Sequence, residues 1–405
     1  MNPYAPAGKS NHLCTRRTTQ ILKIIILTDG IYPFVIGGMQ KHSYYLTKLL
    51  AQKGMDVTLF HCVTNGKVPS EDEVRAKLDI PQDAKFSVKG FRFPQMMRLP
   101  GHYLRASFAY STILLDELKE DLDTYDLIYS KGFAAWALLN KKRKGMKTPP
   151  VSVKFHGYEM FQPPPSFKAK LQNYLLKGPV EFNNKYADHI FSYGGKITQI
   201  ISSLGVDASK IIDIPSGIEE KWLRETITPT QKPLRFLFLG RYERRKGIEE
   251  LNQVLENQPA TAEFKFDFVG PIPGSKMVKD DRITYHGKIM DAEKLQAVMD
   301  QCDVLVTPSH SEGMPNVIME GMARGLAVIA TDVGAVPLQV DDQNGWRIEP
   351  GNSEALGATF TKVLASSTEE LDQKKKNSLK RIRERFLWDT VCDEHIKAFK
   401  QIVGN

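Results

Sequence analysis

Short apolar runs rich in β-branched residues, with helical patterns between several of them, most constrain what this chain can fold into. Ile21 to Thr28 is almost continuously apolar, as a strand buried on both faces must be. Gly37-Gly38 and a helical pattern follow, with Tyr45, Leu46, Leu49 and Leu50 on one face and Gly54 closing it. Further strands are expected at Val57–Cys62, Phe86–Phe91, Asp126–Tyr129, Val151–Phe155, His189–Ser192 and Lys210–Ile214. A second series runs through Leu234–Leu239, Phe264–Val269, Ile283–Tyr285, Val304–Val306 and Leu326–Ala330. Alternation of this kind builds parallel sheets covered by helices. The chain has 405 residues, enough for two ordinary domains, so the expectation is α/β with two doubly wound, Rossmann-like domains. The boundary falls near Pro215-Ser216-Gly217 or in the stretch Thr226–Pro233.

In such sheets ligands lie at the carboxyl ends of the strands, so the loops there carry the chemistry. After the Val304–Val306 strand comes Pro308 to Gly334, which holds Glu312 and Glu320 with seven residues between them. Glu312 falls in the loop, and Met314 to Arg324 reads as a helix ended by Gly325. Pro315 suits a first helical turn, where its missing N–H costs nothing. The N–H groups of Met314, Asn316 and Val317 then remain free for an anion or a hydroxyl-rich ligand. Two carboxylates that can only accept, beside unpaired donors, suit a molecule with both hydroxyls and a phosphate. The plainer alternative is that a Glu near a helix start only complements the helix dipole. Two other loops are phosphate-site candidates. Leu234–Leu239 leads into Gly240 to Gly247, where Arg241 can chelate two oxygens and Lys246 adds a point charge; Arg244 and Arg245 are either further partners or surface, and surface is favoured. Gly37 and Gly38 would let backbone N–H groups approach a phosphate, although a glycine pair alone also marks a simple turn. His156 follows the Val151–Phe155 strand on the same ligand edge.

Composition narrows the class. With 41% hydrophobic and 25% charged residues the chain reads as soluble and globular. No apolar run approaches the ~18 residues of a membrane span. Residues 1–20 are polar and lack an apolar core segment, so a disordered tail without a signal peptide is expected. Cys14, Cys62, Cys302 and Cys392 are scattered, which favours a reducing compartment with neither zinc nor disulfides. The net charge of +8 is uneven: residues 1–215 carry 29 Lys and Arg against 18 Asp and Glu, residues 216–405 carry 26 against 29. A basic first half suggests an anionic partner there, an anionic membrane surface or lipid-linked acceptor being favoured over nucleic acid for want of a nucleic-acid motif. Arg92, Arg98, Arg105, Lys168, Lys170 and Lys177, interleaved with apolar side chains, are the candidate surface. Lys374-Lys375-Lys376 reads as a solvated helix face, and the pairs Asp280-Asp281 and Asp341-Asp342 as loop surface.

Together, Tyr32 to Gly38, His156-Gly157, Ile214 to Ile218, Gly240-Arg241 with Lys246-Gly247, and Glu312 with Glu320 resemble the motifs of the family-4 glycosyltransferases, retaining enzymes of the GT-B fold. The resemblance runs from Ile21 to the C-terminus. It implies an acceptor-binding domain over 21–215, a nucleotide-sugar-binding domain over 216–387, and a last helix, 388–405, crossing back to the first. It implies transfer of a hexose from a UDP- or GDP-sugar to a sugar or lipid-linked acceptor in glycan or polysaccharide biosynthesis. Glu312 would hold the donor's hydroxyls with the N–H groups of Gly313, Met314 and Asn316, and Glu320 the ribose. Arg241 and Lys246 would clamp the diphosphate, Gly38 would touch it from the other domain, and His156 would lie near the anomeric carbon. Front-face attack needs no side-chain nucleophile, cofactor or metal. The alternatives sharing the fold are a nucleotide-sugar 2-epimerase and a catalytically silent binding subunit. Ser216 and Glu219 depart from the family's usual Asn and Asp, and Arg245 from its usual acidic residue. Base contacts are expected near Gly287–Ile289, and acceptor specificity in Phe91–Arg105 and Gln162–Lys177. The expected location is cytoplasmic, with or without peripheral attachment to the membrane's cytoplasmic face.

Overall fold

The computed structural model describes residues 21–404 apart from 98 and 165. The expectations about residues 1–20, Cys14 among them, and about Arg98 lie outside the described residues. Among the described residues, seven strands form the first sheet: β1 (Lys23–Leu27), β2 (Asp56–Val63), β3 (Phe86–Arg92), β4 (Leu127–Lys131), β5 (Val151–Lys154), β6 (His189–Ser192) and β7 (Ile211–Asp213). Six form the second: β8 (Leu234–Leu239), β9 (Phe264–Val269), β10 (Ile283–Tyr285), β11 (Val304–Thr307), β12 (Ala327–Thr331) and β13 (Gly345–Ile348). The strand orders are 3-2-1-4-5-6-7 and 10-9-8-11-12-13, and every pairing is parallel. In each sheet the order reverses once, between β1 and β4 and between β8 and β11. A crevice opens at such a point because the flanking helices leave on opposite faces.

The central strands are apolar on both sides, and Ile24, Ile25, Ile26, Val304 and Leu305 are fully buried. The helix Trp388–Gly404 lies on the first sheet beside the helix Gly38–Gln52, burying Val391, Phe399 and Ile402. Lys53 at the end of that first helix pairs with Asp389 and Asp393, both at 2.7 Å.

Three local expectations need correction. Gly345–Ile348 is a strand that the sequence pattern did not reveal, because four residues with Arg347 among them make too short an apolar run. Pro315 precedes the helix, extended at φ −70° and ψ 117°, and Asn316–Ala323 is helical. Of the three consecutive lysines, Lys375 is not solvated: it is buried, and its Nζ lies 2.8 Å from Asp303. A buried carboxylate at the start of β11 needs a charged or hydrogen-bonding partner, and the helix Thr368–Arg385 passes close enough to supply one. One member of each aspartate pair is tied down, Asp280 by Arg282 and Asp341 by Arg381, while Asp281 and Asp342 are exposed as expected of loop surface.

Candidate functional site

Both loops at the reversal point of the second sheet converge on Glu312. The β8 loop turns through Gly247 (φ +67°), where an added Cβ would fall 1.8 Å from the Pro308 carbonyl oxygen. Only glycine allows the β8 loop to lie that close to the β11 loop. The approach places Lys246 Nζ 2.6 Å from Glu312 Oε1 and Arg245 Nη1 3.3 Å from Oε2. Ser309 donates to Oε1 at 2.8 Å. Burial alone would raise the Glu312 pKa, but Lys246 and Arg245 outweigh it and hold the carboxyl below its ordinary value. The side chain is therefore an ionised carboxylate, anchored by Lys246, Arg245 and Ser309.

Three arginines differ from the sequence expectation. Arg245, expected at the surface, pairs with Glu312 and donates to the Ser311 carbonyl at 3.1 Å. Arg244 bridges Glu249 and Glu250 and contacts His310. Arg241 instead stands 70% exposed, paired with Glu243 at 3.0 Å, so the structure does not bring it together with Lys246 and Glu312.

From the first sheet, Gln162 grips the same loop: its Nε2 donates to the Glu312 carbonyl at 2.9 Å and its Oε1 accepts from the Glu312 N–H at 3.3 Å. Gly313 lies so near the His156 backbone that a Cβ would sit 1.8 Å from the His156 oxygen. The two sheets thus face each other edge to edge, His156 against the Glu312 loop. Burial, reinforced by Lys131 and Lys154, pushes the His156 pKa well below its ordinary value, so the imidazole is neutral. Both its ring nitrogens are buried without a partner. Met314 is buried, its sulfur accepting the Ser216 N–H at 3.1 Å.

A cleft continues from here, lined by Gly38, Lys41, Ser216, Asn316 and Glu320 among others. Gly37 caps the Gly38–Gln52 helix in extended backbone, with no side chain capping its N-terminus. Asn316 and Val317 open the facing helix, where their N–H groups have no earlier turn to bond. Glu320 is half-buried, and burial raises its pKa against the opposing effect of Lys41. The contacts of Gln162 and Ser309 with Glu312 escaped the sequence reading, as a lone Gln or Ser in a loop carries no periodic signal. Among the described residues no group of three or more His, Cys, Asp or Glu side chains is arranged to hold a metal.

Residues 36–222 match the family model described as Glycosyltransferase Family 4, and residues 233–366 that described as Glycosyl transferases group 1. TuaC of Bacillus subtilis, a glycosyltransferase assigned to teichuronic acid biosynthesis, is 31% identical over 126 residues, 31% of this chain and 32% of that protein. The amylovoran biosynthesis glycosyltransferase AmsK of Erwinia amylovora is matched over 44% of its length, so the chain spans about a third to a half of several curated relatives. The glycogen synthase of Mycobacterium tuberculosis aligns over 92% of both chains at 22% identity. The sucrose-phosphate synthase of Thermosynechococcus elongatus superposes with a TM-score of 0.72 at 18% identity, over 94% of this chain and 99% of that one. At such identity the likeness is one of fold. Matches to both halves, on two parallel sheets that share the neighbour's architecture, place this chain in glycosyltransferase family 4, with the two-domain GT-B fold.

Proposed function

We propose that this glycosyltransferase moves a hexose from a nucleoside-diphosphate sugar to a sugar or lipid-linked acceptor, with retained anomeric configuration and without a metal. Residues 216–387 hold the donor in this reading; residues 21–215, with the returning helix, hold the acceptor. The observation that carries it is the ionised Glu312, tied to Lys246 and Arg245 beside a helix N-terminus, with Glu320 of that helix lining the cleft opposite Gly38. Glu312 accepts from the hexose hydroxyls, helped by the N–H groups of Gly313, Met314 and Asn316. Val317 adds a donor, Pro315 leaves one out, and Glu320 accepts from the ribose. Lys246 and Arg241 take the diphosphate charge, Arg241 swinging in from solvent, with Gly37 and Gly38 on the far side. Neutral His156 offers a hydrogen bond near the anomeric carbon. In the transfer, the acceptor oxygen bonds to that carbon as the carbon–oxygen bond to phosphate breaks. The bond pair passes to the phosphate oxygen, which takes the acceptor's proton.

HepE from Anabaena, solved in complex with UDP-glucose, superposes with a TM-score of 0.63 at 17% identity, over 93% of this chain and 99% of that one. That precedent supports a nucleotide-sugar donor here. The acceptor side is the groove along the helix Phe167–Tyr186, lined in part by Gln162. Exposed Phe167, Leu171 and Tyr174 with Lys168, Lys170 and Lys177 suit a site at an anionic membrane surface, reached peripherally from the cytoplasm. A thermal-shift panel of UDP-, GDP- and ADP-hexoses, followed by assay of nucleotide release, tests the function. A stabilising donor whose nucleoside diphosphate is released when acceptor is added supports it. Stabilisation without release under any acceptor would mark a silent binder, and recovery of an epimerised nucleotide sugar would mark the epimerase.

A further inference from the structure

Two lysines stand side by side at the carboxyl ends of β4 and β5, Lys131 opposite Lys154 in the strand register, and both are fully buried. β4 borders β1 at the reversal point of the first sheet, the position corresponding to that of Glu312 in the second. A buried ammonium is costly unless a charge pairs with it. Every polar partner here is neutral. Lys131 Nζ is 2.9 Å from His42 Nδ1 and 3.3 Å from the Tyr129 hydroxyl. Lys154 Nζ donates to the Ile214 carbonyl at 2.8 Å and sits 4.1 Å from the Tyr193 ring centroid.

The bonds assign the protons. His395 Nδ1 faces the Val391 carbonyl at 2.8 Å and so carries hydrogen, leaving its Nε2 to accept from Tyr129 at 3.3 Å. The Tyr129 oxygen then accepts from Lys131, and Lys131 donates a second N–H to His42 Nδ1. His42 is left with a hydrogen on Nε2. That nitrogen is buried and has no partner, while the ring lines the cleft near Gly38, Ser216 and Glu320. The His156 ring, 5.0 Å from that of His42 between centroids, leaves both nitrogens unpartnered beside it. The carboxylates that face the cluster are Asp213 from β7 and Glu394 from the last helix, which act on Lys154 through space, and Glu320 across the cleft. None of the three bonds to either lysine.

We propose that Lys131, Lys154 and His42 form the first sheet's half of an anion site, which takes up a proton when the diphosphate of a nucleotide enters the cleft. The proposal rests on the function proposed above and adds a charge partner that its motifs do not contain. Burial drives the proton off these amines: Lys154 is pushed down to about 7, and Lys131 well below its ordinary value with Lys154 adding to the effect. A diphosphate facing His42 Nε2–H and His156 favours the charged amines again, so binding and protonation are linked.

The test is titration calorimetry of the full chain with UDP, GDP and ADP in buffers of different ionisation enthalpy. At about pH 8 the terminal phosphate of the ligand is already ionised. The expected result is net uptake approaching one proton per nucleotide bound. Lys131→Met and Lys154→Met should each cut that uptake by half or more and weaken binding by about tenfold. Both variants should also melt higher than the parent without ligand, since each removes a buried amine without a charge partner. A role confined to packing would leave the proton count unchanged. Nucleotide binding with buffer-independent heat, or uptake unaltered in both variants, overturns this inference and leaves the proposed function standing. Failure of all three nucleotides to bind overturns both.

Discussion

At Glu312 the geometry turns a buried acid into an ionised acceptor. Burial would favour its neutral form, and Lys246 at 2.6 Å with Arg245 at 3.3 Å reverse the preference. Removing either end should therefore damage more than a contact. Glu312→Ala or Lys246→Ala is expected to lower turnover by about 100-fold or more, the range for one transition-state charge contact, read as kcat at saturating donor. Parent-like kcat in both variants would dismantle the proposed site. Glu320→Ala belongs to a different class. Its carboxyl is raised by burial and faces Lys41 across the cleft, so its loss should weaken donor Kd with little change in kcat. An unchanged Kd would rule out the ribose contact.

Among the elements, the helix Phe167–Tyr186 is unusual for what it leaves outside. Ser166 caps it by accepting the Ala169 N–H, and Val180 is buried near its far end. Its first half exposes Phe167 at 84%, Leu171 at 61% and Tyr174 at 75%, one side of a helix by spacing. In the other expected region, Phe91 and Phe93 pack on the core, while Met97 and Leu99 remain exposed. Basic residues near an anionic lipid surface contribute about 1 kcal/mol each, and the apolar side chains add insertion energy. The protein should sediment with anionic vesicles, release with added salt, and lose binding when Lys168, Lys170 and Lys177 are changed to Gln. Protein left in the supernatant at low salt would assign this helix to a non-lipid acceptor.

Across the whole molecule the two sheets meet at the carboxyl ends of their strands, where Lys196 pairs with Asp332 and its N–H bonds the Gly334 carbonyl, beside the Glu312 loop. Gly313 permits contact with the His156 backbone, and Gln162 makes two hydrogen bonds to Glu312. A methyl group at Gly313 has no room, so Gly313→Ala should hold the sheets apart: turnover falls by about 100-fold or more, and small-angle scattering with donor shows a larger radius than the parent. Gln162→Ala loses two bonds of about 1 kcal/mol each and should cost roughly thirtyfold. Compaction like the parent's in Gly313→Ala would contradict the seam. The sequence by itself determined the alternation of strand and helix, the two parallel sheets, and the loops that carry Glu312, Lys246, His156 and Gly38. Those features are local: apolar runs, glycine turns and strand ends repeat at short range and leave a pattern. Only the tertiary structure decided that Arg245 and Ser309 hold Glu312, that Arg241 turns outward, that Lys375 reaches Asp303, and that Lys131 and Lys154 lie buried beside His42. A lysine is written the same way whether it meets water, a carboxylate or an imidazole. Its surroundings come from residues tens to hundreds of positions away, brought together by packing.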